Sequence, residues 1–435
     1  MTDTPIWPHI PEDVRAAADH VLASGKINYW TGSETRTFEQ EFAAALDVPY
    51  ALAVANGTLA LELALRAYGI GENGRSDEVI VPSRTFIATA GAVVAVGATP
   101  IIADIDPETN CLTPLAVAKV TTPRTRAVIP VHLGGYPTDM DALLRFTQQL
   151  DGVRVIEDCA QAQGARYRGR AVGSIGDAGC YSFCQEKIMP LGEGGMLVFR
   201  DGSDARAAFE RAWAYRDHGR SWAKAHDADV AGASSHFRYL NDSFGTNARL
   251  TEMQGAMGRV MLAKWLPVWH EQRARNAAIL KEALIEVAKE GERVHALTFV
   301  DVPDDELARG TEHAYYRLYA LLDVGALRDG WTRDRVVDEI NLRAADGGHF
   351  GGVAQYGSSA LIGSEAAFAA AGFVTGFAVA GLAGDAGQAG DALAGAREAD
   401  ERSFAFFVDP GRCEDDMRFA AGCVKAVLKE ATGVC

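Results

Sequence analysis

The run CYSFCQEKIMPLGEGGMLVF, residues 180–199, places one lysine, Lys187, between an apolar, aromatic segment and a glycine-rich turn, with a second apolar segment following. An isolated lysine is overwhelmingly a solvated surface group. An amine held in a partly dry pocket instead loses basicity and becomes a nucleophile able to form Schiff bases. The flanks of Lys187 suit the second reading: the two apolar pieces, AGCYSFC (178–184) and GGMLVF (194–199), read as short buried strands.

Working outward, the same rhythm recurs upstream. YALAVA (50–55), DEVIVPS (77–83), TPIIADI (99–105), RAVIPVHL (126–133) and VRVIED (153–158) read as strands, interleaved with helical runs such as LALELALRAYG and TFIATAGAVVAVG. Short buried strands alternating with helices predict an α/β protein with a mostly parallel sheet, whose working loops lie at the carboxyl ends of the strands. Two helices precede it, EDVRAAADHVLASG with Gly25 as its C-cap, and TRTFEQEFAAALD. From Leu250 the pattern turns helical, with Pro267 expected to kink or break the run. A smaller domain is expected from about residue 260, giving domains of 1–259 and 260–435. YYRLYALLD (315–323) reads as a strand in the second and MRFAAGCVKAVLKEA (417–431) as its closing helix. Residues 344–397 are Gly/Ala-rich and weakly periodic, and receive no assignment.

Composition narrows the function classes. The chain has 435 residues, 48% apolar and 23% charged, as expected for a soluble protein of two or three domains. With 42 basic against 58 acidic side chains the formal charge is −16, which argues against general binding to nucleic acid or an anionic membrane but leaves room for one local anion site. No basic stretch followed by an apolar one opens the sequence, so no signal peptide is expected. Residues 366–384 carry no charge over 19 positions, yet they are Ala/Gly-rich and lack aromatic and basic anchors, so no membrane span is expected. The seven cysteines are scattered and form no C-x-x-C pair, which points away from a zinc site and toward reduced thiols in the cytoplasm.

Three further segments carry candidate chemistry. Asn56-Gly57-Thr58 sits at a strand-to-helix turn, where glycine allows close approach and the helix start offers N–H groups to a phosphate; the plain alternative is a tight turn with Thr58 as N-cap. In VIEDCAQAQGA (155–165), Asp158 ends an apolar strand and needs a partner if buried, with a helix cap as the alternative. Gln161, three residues on, can face the same pocket or solvent. Ser182 can offer a hydroxyl to a phosphate or make a strand-end hydrogen bond. A phosphate turn, an acid behind a strand, a nucleophilic lysine and a hydroxyl are together what pyridoxal 5′-phosphate requires.

At these residues the chain resembles the DegT/DnrJ/StrS family of fold-type I, pyridoxal-phosphate-dependent sugar aminotransferases. The resemblance runs through ANGTLALELAL, VPSRTFIATAGAVVAVGATPIIADID, VIPVHLGGYPTDMD, VIEDCAQAQGARYRGRAVGSIGDAGCYSFCQEKIMPLGEGGML and FGTNARLTEMQGAMG. It implies a large domain with a mostly parallel seven-stranded sheet between helices and a smaller α+β C-terminal domain. It further implies that Lys187 forms the internal aldimine and moves protons, that Asp158 partners the pyridine nitrogen, and that Gln161 lies beside the phenolic oxygen. Gly57, Thr58 and Ser182 would cradle the phosphate, and Phe86 would stack on the ring, with simple core packing as its alternative. Asn247 would reach the cofactor of a second subunit, implying a homodimer with shared sites. An amino-acid donor, usually glutamate, would pass its amine through pyridoxamine 5′-phosphate to a keto-sugar, free or nucleotide-linked, or to a keto-cyclitol. His132, His313 and Tyr316 are candidates to face substrate, or packing residues, and Arg249 is a candidate anion site or ion-pair partner. Two departures from the family pattern concern the acceptor pocket: only Gly357-Ser358-Ser359 hints at the usual substrate loop, and Asp409 stands where many relatives carry histidine. The alternatives are a dehydratase of the same fold, which the retained lysine opposes, and a non-catalytic relative.

Overall fold

The computed structural model describes residues 7–73, 76–226, 240–289, 297–346, 354–355, 360–361 and 393–433. Seven strands form the main sheet: β1 (Tyr50–Val54), β2 (Glu78–Pro82), β3 (Thr99–Ala103), β4 (Thr125–Val128), β5 (Arg154–Asp158), β6 (Ala178–Ser182) and β7 (Gly195–Phe199). Their order is β1-β7-β6-β5-β4-β2-β3. The pairs from β6 through β3 are parallel, whereas β7 runs antiparallel to both β6 and β1. Each strand overlaps the apolar run expected to form it.

The sheet is covered on both faces, which is why its strands read as apolar runs rather than as alternating ones. On β7, Leu197 and Phe199 pack into one layer with Leu63 and Leu65 of α3 (Gly57–Ala67) and Trp213 of α5 (Ala205–Arg216); α4 (Ala88–Ala95) adds Val93. Met196 and Val198 point the other way, onto Phe38 and Phe42 of α2 (Glu34–Leu46), beside α1 (Glu12–Ser24) and α6 (Glu252–Val260). Each fully buried leucine or phenylalanine here contributes roughly 1.5–3 kcal/mol. α1 ends as expected at Gly25, in the left-handed region at φ 69°.

The second, antiparallel sheet contains β8 (Leu297–Phe299), β9 (Arg317–Leu322), β10 (Ala354–Gln355) and β11 (Ser403–Phe407), in the order β8-β9-β11-β10. It packs on α7 (Leu266–Lys289), α8 (Arg333–Asp346) and α9 (Glu414–Thr432) around its own core of Leu318, Ala320, Phe404, Phe406, Val424 and Leu428. Pro267 neither breaks nor ends the helical run. The turn before it, Met261–Trp265, widens into a π-helix, and α7 begins at Leu266. The wider turn takes up the missing N–H and the ring's bulk. Among the described residues no helix is long and apolar enough to cross a membrane. The uncharged stretch 366–384 and Gly357-Ser358-Ser359 lie outside the described residues.

Candidate active site

A cavity of about 910 Å³ opens at the carboxyl ends of β5 and β6, against the start of α3. Gly57, Thr58, Phe86, Asp158, Gln161, Ser182 and Lys187 all line it. Residues scattered over 130 positions of sequence thus meet because three strand ends and one helix start converge.

The β1–α3 turn is built around Asn56, not Thr58. The Asn56 side chain is the N-cap, accepting from Leu59 N at 2.9 Å. Thr58 is therefore released from capping, and its hydroxyl stands in the first helical turn at the cavity wall. The N–H groups of that turn have no intrahelical acceptor. A Cβ on Gly57 would come within 2.7 Å of the Ser182 Cβ. Glycine is what lets the helix start close on Ser182, forming a pocket of N–H and hydroxyl donors suited to a phosphate.

Asp158 ends β5 and is buried. Its Oδ1 accepts from Ala160 N at 3.1 Å and its Oδ2 from Thr89 Oγ1 at 2.9 Å; Thr89 in turn contacts Thr85 Oγ1 at 2.8 Å. Burial pushes the carboxyl above its ordinary range, opposed by the Ala160 and Thr89 hydrogen bonds and by the charge on Lys187. Gln161 lies in a turn rather than on a helix, and its Oε1 accepts from Gly134 N at 2.8 Å. Phe86 is 58% exposed, so it is not a core residue.

Lys187 sits in the hairpin joining β6 and β7, which is closed by Phe183 N to Gly194 O (2.8 Å) and Gln185 N to Gly192 O (2.9 Å). Its amine lies 3.1 Å from Glu186 Oε1 and 3.4 Å from Tyr316 Oη. The expectation of lowered basicity is corrected here. Burial does work against the ammonium, but Tyr316 and Glu186 outweigh it and leave the pKa above the ordinary lysine value.

The four candidate substrate residues divide differently. Tyr316 is fully buried and meets the lysine. His132 and His313 are buried and do not line the cavity. His132 Nδ1 accepts from Thr138 N at 3.1 Å, so Nε2 carries the proton given to Glu157 Oε2 at 3.0 Å. Glu157 also accepts from the backbone N–H groups of Gly173, Ile175 and Gly176. The ligand atoms of His132, Glu157 and Cys159 lie within 4.8 Å of one another. The histidine and carboxylate lone pairs are already taken, however, and burial raises the Cys159 thiol well above its usual pKa, so the group is a hydrogen-bonded pin. His313 stacks on Tyr315 (4.2 Å between centroids) and accepts from Tyr315 N. Arg249 is ion-paired with the buried Asp217, and Asn247 is exposed on its own chain, away from the cavity. Asp409 is buried, accepts from Gly411 N at 2.8 Å and lies 3.5 Å from Arg412 Nε.

Sequence reasoning missed two contributors, Asn56 as the cap and Thr89 on Asp158. For Thr89 a weak signal existed, as a hydroxyl in an otherwise apolar segment, but its meeting with Thr85 depends on how the short strand Arg84–Thr85 turns into α4 rather than on helical spacing.

Cavity, lysine and sheet order define a fold-type I aminotransferase architecture. The model of the DegT/DnrJ/EryC1/StrS aminotransferase family matches residues 8–329, and the chain belongs to that family. It is 42% identical over 272 residues to the dTDP-3-amino-3,4,6-trideoxy-alpha-D-glucose transaminase of Streptomyces venezuelae, covering 61% of this chain and 65% of that one. It is 36% identical over 333 residues to the L-glutamine:2-deoxy-scyllo-inosose aminotransferase of Streptomyces fradiae, covering 75% and 72%. The X-ray structure of an aminotransferase from Psychrobacter cryohalolentis superposes with a TM-score of 0.85 at 38% identity, over 98% of this chain and 99% of that one. The chain is thus an aminotransferase of that family, those two curated relatives act on a sugar nucleotide and a cyclitol, and the dehydratase alternative fits less well.

Proposed function

We propose that the chain uses pyridoxal 5′-phosphate, bound through Lys187, to move an amino group from an amino-acid donor to a keto-sugar, nucleotide-linked keto-sugar or keto-cyclitol. The observation that carries this is that the Lys187 amine and the buried Asp158 carboxyl line one cavity beside the Gly57–Ser182 cradle. When bound, the cofactor supplies an electron sink for breaking the donor's α-C–H bond. The Gly57 and Thr58 N–H groups at the start of α3, with the Thr58 and Ser182 hydroxyls, would hold its phosphate, Leu59 N–H being taken by Asn56. Asp158, oriented by Thr89 and Ala160, would hold a proton on its ring nitrogen, and Phe86 would supply an aromatic wall for it. Gln161 orients the ring's oxygen. Lys187 Nζ takes and returns the proton at the reacting carbon as general base and acid.

Glutamate is the donor expected from the resemblance, and glutamine is named for the Streptomyces fradiae relative. A homodimer with shared sites is supported by the exposure of Asn247, outside its own chain's cavity. A division into domains 1–259 and 260–435 is supported by the separate core of the second sheet, although its boundary falls inside a continuous helical run. A cytoplasmic location is supported by free thiols at all six described cysteines.

The test is reconstitution with pyridoxal 5′-phosphate followed by borohydride reduction and peptide mapping. Covalent label should appear on Lys187 and vanish in Lys187→Ala. The reduced-amine form of the cofactor, made with glutamate or glutamine, is then screened against keto-sugars and keto-cyclitols. Label on another lysine, or transamination by Lys187→Ala at the wild-type rate, overturns the assignment.

A further inference from the structure

The main chain at Lys187 is held from outside its hairpin by a residue 180 positions away. Trp7 Nε1–H is shared between Glu186 O and Lys187 O, 3.3 Å from each. The indole is buried, packed edge-on against Trp269 at 5.1 Å, and its face is covered by the Arg273 guanidinium at 4.9 Å. Arg273 is fully buried on α7. It donates to Val408 O at 2.5 Å and reaches Tyr315 O at 3.5 Å. Those two carbonyls flank Arg317–Leu322 and Ser403–Phe407, the central strands of the second sheet. The layers are therefore stacked in order: lysine hairpin, Trp7, Arg273, second sheet.

Inside the hairpin the bonds fix its register, but they do not fix where its tip stands relative to the cavity. From outside, Gln254 Nε2 of α6 ties the returning arm at Leu191 O and Glu193 O, and Trp7 ties the arm that carries Glu186 and Lys187. Tyr316, the residue that leads into β9 of the second sheet, touches the lysine's amine. The entry to β9 and the sheet's strand ends thus reach Lys187 twice, at Nζ through Tyr316 and at the carbonyl through Trp7 and Arg273.

We infer that Trp7 is a positioning residue: its indole N–H braces the Lys187 backbone against the second sheet and sets where the amine stands in the cavity. The catalytic part of this rests on the aminotransferase reading above; the brace itself does not.

Trp7→Phe tests it, because a smaller aromatic ring still faces Trp269 and Arg273 while the N–H is lost, and Trp269→Phe controls for the same loss of ring volume. In the cofactor-free chain, hydrogen–deuterium exchange at the Gln185, Lys187 and Leu191 amides should run about three- to tenfold faster, with the melting temperature close to wild type. Trp269→Phe, which removes an indole that makes no bond to the hairpin, should leave that exchange unchanged. In the loaded enzyme, Trp7→Phe should lower kcat about tenfold with the donor KM unchanged, and should shift the pH at which the bound cofactor's absorbance changes. Unchanged exchange in Trp7→Phe overturns the brace. Faster exchange with unaltered kcat and absorbance titration, in a wild type that does trap cofactor on Lys187, overturns the positioning role. A wild type that traps none overturns the aminotransferase reading instead, and the exchange result still decides the brace.

Discussion

Lys187 Nζ stands 3.4 Å from Tyr316 Oη and 4.9 Å from the centre of the same ring. The hydroxyl and the π-face both favour the ammonium. The aim of Tyr316 is fixed by its predecessor: Tyr315 is held at φ 49°, a rare conformation for a bulky residue that costs roughly 1–3 kcal/mol. Stacking on His313 and a 2.9 Å bond from Tyr315 Oη to Asp301 maintain it.

Tyr316→Phe keeps the ring and removes the hydroxyl. Because the bond is long, its loss falls at the low end for charged partners, about 1.5 kcal/mol, or roughly tenfold in kcat. The lysine's pKa should fall, which titrating cofactor capture against pH would detect. A rate and titration equal to wild type would remove the hydroxyl from the chemistry.

Thr89→Val strips Asp158 Oδ2 of its side-chain donor inside the protein. A buried carboxyl short of a partner costs about 1–3 kcal/mol. The expected result is a further rise in the Asp158 pKa and weaker cofactor retention, read by equilibrium dialysis. Thr89→Ser should restore both; failure of serine to do so would show that the methyl, not the hydroxyl, matters.

Gly57→Ala drives a methyl into Ser182. Helix start and β6 must separate, opening the phosphate cradle, so affinity for pyridoxal 5′-phosphate should drop at least about tenfold, equivalent to about 1.4 kcal/mol. Isothermal titration settles it. An affinity within twofold of wild type would mean that the cradle lies elsewhere.

His313 gives a pH signature separate from catalysis. Burial pushes its pKa down to about 3, from an ordinary value near 6.5. The unfolded chain binds the proton first, so stability is full above pH 6.5 and falls as pH drops toward 3, by up to about 1.4 kcal/mol per unit. Between pH 7 and 5 this one group removes about 2 kcal/mol. Urea unfolding of wild type and His313→Gln at both values should show the difference shrink in the variant. Equal pH slopes would show that His313 is not held neutral.

Much of this was legible in the sequence. All seven strands of the large sheet stand out because both faces are covered, so burial writes itself as unbroken apolar runs. Asp158 and Lys187 were legible because each ends or follows such a run and so points to the sheet's working edge. Tyr316 was noticed as a possible neighbour of substrate, but its closeness to the amine depends on how a second sheet folds back, which no local spacing encodes. Trp7 and Arg273 were invisible for the same reason. His132 and His313 were candidates to face substrate or to pack, and they pack: a backbone N–H donates to each ring, and Glu157 takes the other nitrogen of His132. Pro267 misled because a proline's cost depends on the turn before it, and a π-turn absorbs it.

The reversed strand β7 carries a consequence for biosynthesis. Among the described residues of the main sheet, the first strand, β1, neighbours β7, Tyr50 opposite Phe199, and its last residue, Val54, also bridges Arg249, further still along the chain. On the ribosome, then, the earliest strand waits with an unpaired edge until residue 199 has emerged, while β2 to β6 can already assemble. Pairings between such distant segments are slow and leave strands open to wrong partners. Chains truncated just before Gly195 should therefore aggregate, and the anion cradle, which leans on both β1 and β6, can close only in the last act of folding this half of the molecule.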